Sequence, residues 1–366
     1  MSKLFSHLNK SYDEPAQAHP FRWWHLLLLV LLIAGTVYIV RENRPGAQSA
    51  AHSAWNQSAL QRTEGAVFGT IYHITYNAPK PLDEGIKAVL DKVNSSLSMF
   101  EEKSTISLIN SNKSDVPDSM FVRVFNLAKQ ISTETDGAFD ITVAPLVNLW
   151  GFGFKNEKNI SDATIDSLLC FVGIDNVNLE DGKIIKAHPE TMLDCSAIAK
   201  GYGVDAVGEY LESQGVSQYM VEIGGEVRVR GFNPRGDNWS IGITRPDDDS
   251  TCMQNDIEEV LHVTDIAMAT SGNYRNFYMK DGKKFAHTID PRTGRPVQHN
   301  ILSSTVLASD CATADAYATS FMVLGLDEAK KVLKKHTELM AFFVYQDADG
   351  NNTEWYSPRL KSLLNK

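Results

Sequence analysis

The chain has 366 residues, 43% hydrophobic and 22% charged, with a formal net charge of −10. That composition is globular, sufficient for one large domain or two ordinary ones, and it excludes a disordered chain. The acidic balance argues against a nucleic-acid binder, which needs a basic face, so an anionic ligand here needs a metal, a lysine or backbone N–H groups.

Residues 26–40 read LLLLVLLIAGTVYIV without a charge, and Trp23, Trp24 and Tyr38 put aromatics at both ends. From Trp23 to Val40 the stretch approaches the ~20 residues that a membrane-spanning helix needs. A cleaved signal peptide is the competing reading. The largely polar segment 1–22 ahead of the run, and the distance to the nearest small-residue site around Ala47-Gln48-Ser49, favour an uncleaved anchor over 23–40. Lys3, Lys10 and Arg22 precede it and Arg41 and Arg44 follow, a slight lean to a cytoplasmic N-terminus. Residues 41–62 are small and polar and are expected to be linker. The folded part is expected over 63–366.

Residues 65–76 alternate and are β-rich, which predicts a strand. Ile86, Val89, Leu90, Val93 and Leu97 fall at helical spacing over 82–99, and Val124, Phe125, Ala128 and Ile131 repeat the pattern over 119–135. Gly137 suits the end of that second helix. A helix is expected over 199–213, ending near Gly215. The segment QYMVEIGGEVRVRG reads as a hairpin turned at Gly224-Gly225. Strands are expected near 239–243 and 301–308, and a helix over 311–324, closed by Gly325. Strand pairs mixed with helices predict an α+β fold.

Cys170, Cys195, Cys252 and Cys311 form no C-x-x-C pair and no zinc spacing; they allow two disulfides of undetermined pairing, and buried thiols are the favoured expectation. Asp315 and Thr319 stand four apart on a predicted helix and share a face among alanines. One carboxylate and one hydroxyl suit Mg²⁺, which completes its shell with water and phosphate. The same pair also fits a solvated Asp and a Thr bonded to its own helix. In LDCSAIAKGYGVD, Asp194 and Lys200 flank an expected turn rich in small residues, where Gly201 and Gly203 allow a close backbone approach to a ligand and the lysine can meet phosphate. The P-loop spacing is absent. His287 and Asp290 fit a general base and its orienter, or a histidine and a turn aspartate holding a loop. Ala269 to Arg275 is small and polar, suited to offering N–H groups to an anion.

These clusters come in a recognisable order. Phe68-Gly69-Thr70 is followed by Ser98-Met99-Phe100 and Asn110, then Gly137-Ala138-Phe139-Asp140 leading to Pro145 through Gly153. Next come Asp194 to Tyr202, Glu222-Ile223-Gly224-Gly225-Glu226, and Ala269-Thr270-Ser271-Gly272. His287 to Gly294 and Thr313-Ala314-Asp315 to Thr319 close the series. From about Val67 to Gly325 the sequence resembles the FAD:protein FMN transferase (ApbE) family. The resemblance implies a T-fold-like α+β domain and Mg²⁺-dependent transfer of FMN from FAD to a threonine or serine hydroxyl of another protein, with AMP released. It implies Asp315 and Thr319 as Mg²⁺ ligands, joined by the Ala197 carbonyl. It implies FAD contacts from Asp194 and Lys200, and from Phe68, Ala138, Phe139, Asp140 and Ile289, mostly by packing and backbone. His287 then takes the role of the base or of the group that positions the target hydroxyl, with Asp290 beside it.

The resemblance further implies acceptors bearing a Ser-Gly-Ala-Thr-type motif in membrane redox complexes, a periplasmic catalytic domain and an inner-membrane anchor. No cysteine precedes Cys170, so the lipid anchor of many members has no attachment point and the apolar helix is expected to replace it. The motif itself is absent from this chain. Two other readings share the site: an FAD pyrophosphatase, with water as attacking group, and a flavin carrier without turnover. Asp315, Thr319 and His287 count against the carrier.

Overall fold

The computed structural model describes residues 59–152, 160–244, 257–272, 277–280, 283–286, 288–298 and 300–364. The chain opens with strands β1 (Leu60–Val67) and β2 (Thr70–Asn77). Helices α1 (Asp83–Leu97), α2 (Thr105–Asn110), α3 (Ser119–Glu134), α4 (Ala144–Leu149) and α5 (Asp162–Leu169) follow. A ribbon of β3 (Val177–Glu180) and β4 (Lys183–Lys186) leads to helix α6 (Ala199–Ser213). Then come β5 (Tyr219–Ile223), β6 (Glu226–Arg230), β7 (Trp239–Thr244), β8 (Ile257–Val263), β9 (Ile266–Gly272), β10 (Phe277–Lys280), β11 (Lys283–Ala286), β12 (Ile289–Asp290), β13 (Arg295–Pro296) and β14 (Ile301–Ala308). Helices α7 (Cys311–Leu324) and α8 (Leu326–Lys335), strands β15 (Met340–Gln346) and β16 (Asn352–Tyr356), and helix α9 (Pro358–Leu364) complete it.

Eight strands form one sheet in the order β1-β2-β5-β6-β9-β14-β15-β16, every neighbour antiparallel. In β2, Tyr72, Ile74 and Tyr76 point one way, onto Ile86 and Leu90 of α1 and Val204, Val207 and Leu211 of α6. The period of two along the strand and the helical period on α1 and α6 meet on one face. Further along that face Ala269, Val306 and Phe343 pack on the alanines and Phe321 of α7. The opposite face of the sheet packs Met268, Leu307 and Phe342 against Trp239, Ile241 and Leu261 of the β7–β8 ribbon. Helix α7 is apolar nearly all round, as expected of a helix enclosed by sheet and neighbours.

The expected helices and the Gly224–Gly225 hairpin are present. Two expectations change. The strand expected over 65–76 is a hairpin, broken at Phe68–Gly69, where both residues have positive φ (52° and 75°). Such a turn follows the twist of the flanking strands, and Phe68 takes the glycine-like conformation because its ring packs into the α6 side of the core. The linker expected to reach Arg62 ends earlier: Leu60, Gln61 and Arg62 already pair with Asn77, Tyr76 and Thr75. The expected anchor over 23–40 lies outside the described residues, and among those described no helix is long and apolar enough to cross a membrane.

Candidate active site

The site is built where the first turn of α6 meets α7. The two helices touch so closely that a Cβ on Gly201 would lie 2.3 Å from the Cys311 carbonyl oxygen. Asp205, one turn further along α6, takes the N–H groups of Cys311 (2.9 Å) and Ala312 (2.8 Å). Asp310 caps Thr313 at 2.9 Å. The otherwise orphan N–H groups at the start of α7 are thereby satisfied by two carboxylates.

This junction fixes Asp315, a buried carboxylate whose Oδ2 accepts from the Gly201 N–H at 3.0 Å. In a regular helix that N–H would go to the Ala197 carbonyl. Diverted to Asp315, it leaves the Ala197 carbonyl without an N–H donor among the described residues. Thr319, one turn past Asp315, donates to Ser271 Oγ of β9 at 3.4 Å. Across the ladder Ser271 faces Ser304, whose buried hydroxyl has no partner among the described residues. The α6–α7 junction thus carries a carboxylate, a carbonyl and a hydroxyl, all hard oxygen donors. No group of three or more His, Cys, Asp or Glu able to hold a metal occurs among the described residues. The oxygen donors themselves are of the kind that suit a hard cation such as Mg²⁺.

Lys200 is the second residue of α6, not part of a loop, and it pairs with Glu226 at the start of β6. Burial pushes the lysine pKa down, but the Asp315 and Glu226 carboxylates more than reverse this and hold it charged. Burial pushes the Glu226 carboxyl up, and Lys200 pulls it back toward its charged form. Gly201 and Gly203 lie inside α6 and their close approaches are internal. A Cβ on Gly203 would meet Phe68 Cε2 at 2.6 Å. The aromatic thus folds over the helix that carries Lys200.

A second wall joins through the backbone. Asp194 N–H donates to the Ile141 carbonyl at 2.6 Å, and Asp194 Oδ1 accepts from Ser196 N at 2.7 Å, leaving Oδ2 without a described partner. Burial raises its pKa. Ala138 and Phe139 turn their side chains into the core. The Asp140 carboxylate is taken by Thr142 and the Ile174 N–H, its pKa raised by burial. Any ligand contact along 138–140 is therefore a main-chain one. Ile289 packs with Leu146, Leu149, Trp150 and Ile165. Asp290 binds its own turn: Oδ1 accepts from Arg292 N and Nε and Oδ2 from Arg292 Nη2, each at 2.9 Å. The Arg292 stem lies over Gly137, 3.7 Å from where a Cβ would stand, which brings this turn beside 138–140. His287 lies outside the described residues, as do Asn273 to Arg275. Ala269 to Gly272 form the end of β9 and pair with β14.

Sequence reasoning gave no role to Asp205, Arg228 or Glu226. No sequence signal joins them: Lys200 and Asp205, five apart on one helix, lie about 140° apart round its axis, and only packing sets them against Glu226 and Arg228 of β6.

Residues 68–343 match the model of the ApbE family. The FAD:protein FMN transferase of Vibrio cholerae is 37% identical over 313 residues, 82% of this chain and 92% of that protein. The protein of the same name from Haemophilus influenzae is 38% identical over 300 residues, 77% and 86% of the two chains. The solved flavin transferase ApbE from Vibrio cholerae superposes with a TM-score of 0.74 at 35% identity, covering 83% of this chain and 99% of that one. Matched in sequence and in fold over most of its length, the chain belongs to the ApbE family.

Proposed function

We propose that this protein transfers the FMN half of FAD, with Mg²⁺, to a threonine or serine hydroxyl of an acceptor protein. The observation that carries the reading is the oxygen-only set at the α6–α7 contact: Asp315, Thr319 and the Ala197 carbonyl freed by the Gly201–Asp315 bond. Asp315, Thr319 and the Ala197 carbonyl would hold Mg²⁺, which would supply neutralisation of the phosphate charge during transfer. The acceptor oxygen forms a bond to the FMN-side phosphorus as the bond to the bridging oxygen breaks. His287 takes the hydroxyl proton, and AMP departs with the bridging oxygen.

The chain's own groups position these partners. Asp194 and Lys200 hold FAD, with Phe68 and Ile289 as packing surfaces and the backbone of Ala138, Phe139 and Asp140 as main-chain contacts. Asp290 acts through Arg292, fixing the turn that follows His287. Residues 23–40 serve as a single inner-membrane anchor with the catalytic domain in the periplasm, a reading supported by the charge-free run 26–40. The acceptors are Ser-Gly-Ala-Thr-type segments of membrane redox complexes.

The test is AMP release from FAD in the presence of such an acceptor. The unmodified protein is expected to need Mg²⁺, and Asp315→Ala to lose about a hundredfold or more in rate. Release by that variant at the normal rate would remove the metal site. AMP and free FMN with the acceptor unmodified would mean hydrolysis instead.

A further inference from the structure

Glu226 is 2% exposed, yet only one of its carboxylate oxygens is engaged: Oε1 accepts from Lys200, and Oε2 has no partner among the described residues. A buried carboxylate with an open oxygen costs stability. What it controls is Lys200. Two carboxylates favour the lysine's charged form, Asp315 and Glu226, and the ion pair forms with Glu226. No Lys200–Asp315 ion pair occurs within 4.0 Å. Lys200 precedes Gly201, whose N–H binds Asp315, and its flexible four-carbon stem suits either partner. The choice of Glu226 is reinforced by register. Arg228, two residues along the same strand, binds Asp205 at 2.9 Å on the same helix. The two pairs lock helix and strand together.

We propose that Glu226 is a positioning residue that keeps the Lys200 ammonium off Asp315, so that Asp315 stays open to a cation. The proposal rests on the reading of Asp315 as a metal ligand. With Lys200 (+1) set against Glu226 (−1), the Asp315 carboxylate (−1) carries the net charge of the trio. Remove the charge of Glu226 and the trio is neutral, with Asp315 the one carboxylate left to the lysine. In a poorly solvated site that loss acts directly on a divalent ion.

The test is Mn²⁺ binding to the full-length protein without FAD or acceptor, followed by electron paramagnetic resonance. Glu226→Gln keeps the shape and an acceptor for Lys200, and it is expected to weaken Mn²⁺ binding at least about tenfold. Adding Lys200→Met to Glu226→Gln is expected to restore affinity to within about threefold of the unmodified protein. That recovery is not expected from a merely structural Glu226, and the double variant removes a buried pair together, so it also controls for folding. Unchanged binding by Glu226→Gln, or a double variant as weak as the single one, overturns the proposal while leaving the metal site standing. Absence of Mn²⁺ binding by the unmodified protein overturns both.

Discussion

Cys195 stands beside Asp194 in the sequence, which suggests a thiol whose oxidation would silence the site. Its environment removes that reactivity. The side chain is 1% exposed in the main core, and burial, with Asp194 adding to it, pushes the thiol pKa up and away from the reactive thiolate. Cys311 is buried likewise, whereas Cys170 is exposed, against the expectation of buried thiols. Among these three, alkylation of the native protein followed by peptide mass mapping is expected to label Cys170 and spare Cys195 and Cys311. Asp205 gives a pH signature. Burial, opposed by the Cys311 and Ala312 N–H groups, raises its carboxyl from 3.8 to about 6. The folded protein keeps that proton where the unfolded chain has lost it, so the contribution to stability falls as pH rises from about 4 to about 6 and is level above. Denaturant unfolding across that window is expected to show the slope, and Asp205→Asn to reduce it. That variant should also be about 1–3 kcal/mol less stable, because an α7 N–H loses its acceptor. A variant that keeps the slope would mean another group titrates. Asp315 and Thr319 were legible as a pair because helical spacing puts i and i+4 on one face. The partner of Lys200 was not, because it lies on a strand that only tertiary packing brings near.

Two glycines two residues apart in α6 separate two kinds of close packing. Alanine is favoured over glycine in a helix interior by ~1 kcal/mol. At Gly201 that gain is outweighed, since the new methyl would meet the Cys311 carbonyl at 2.3 Å and Asp315 Cβ at 2.8 Å. At Gly203 the obstacle is the Phe68 ring, a side chain that can turn. Gly201→Ala is expected to cost about 3 kcal/mol or more in denaturant unfolding, and Gly203→Ala about 1 kcal/mol. The reverse order would mean that α6 and α7 separate easily. Strands and helices with clean periods, such as β2, α1 and α3, could be read from the sequence. The Phe68–Gly69 turn could not, because neither Asn-Gly nor Asp-Gly chemistry announces it. Strand β15 is MAFFVYQ, buried on both faces between β14 and β16, and such a run carries no period to read.

Across the described part of the molecule, the sheet order brings β6 beside β9 and β9 beside β14, so Glu226, Ser271 and Ser304 reach one region from distant parts of the chain. These strands stand in chain order but are separated by long stretches of chain, and only their packing assembles the site, which is why the motifs were readable singly and their contacts were not. Strand β1 sets a limit on truncation. A fragment beginning at Ala59 keeps the Leu60–Arg62 pairing and the 2.8 Å bond from Ala78 N–H to the Ala59 carbonyl. One beginning at Thr63 loses both. The longer fragment is expected to melt higher, by several degrees, in a calorimetric scan; equal melting temperatures would mean that the first turn of β1 contributes nothing.

The most direct test of flavin transfer is the intact mass of an acceptor domain bearing a Ser-Gly-Ala-Thr segment after incubation with this protein, FAD and Mg²⁺. The predicted result is a gain of one FMN that disappears with EDTA and with Asp315→Ala. An acceptor of unchanged mass, while the protein is folded and FAD and Mg²⁺ are present, would contradict the account.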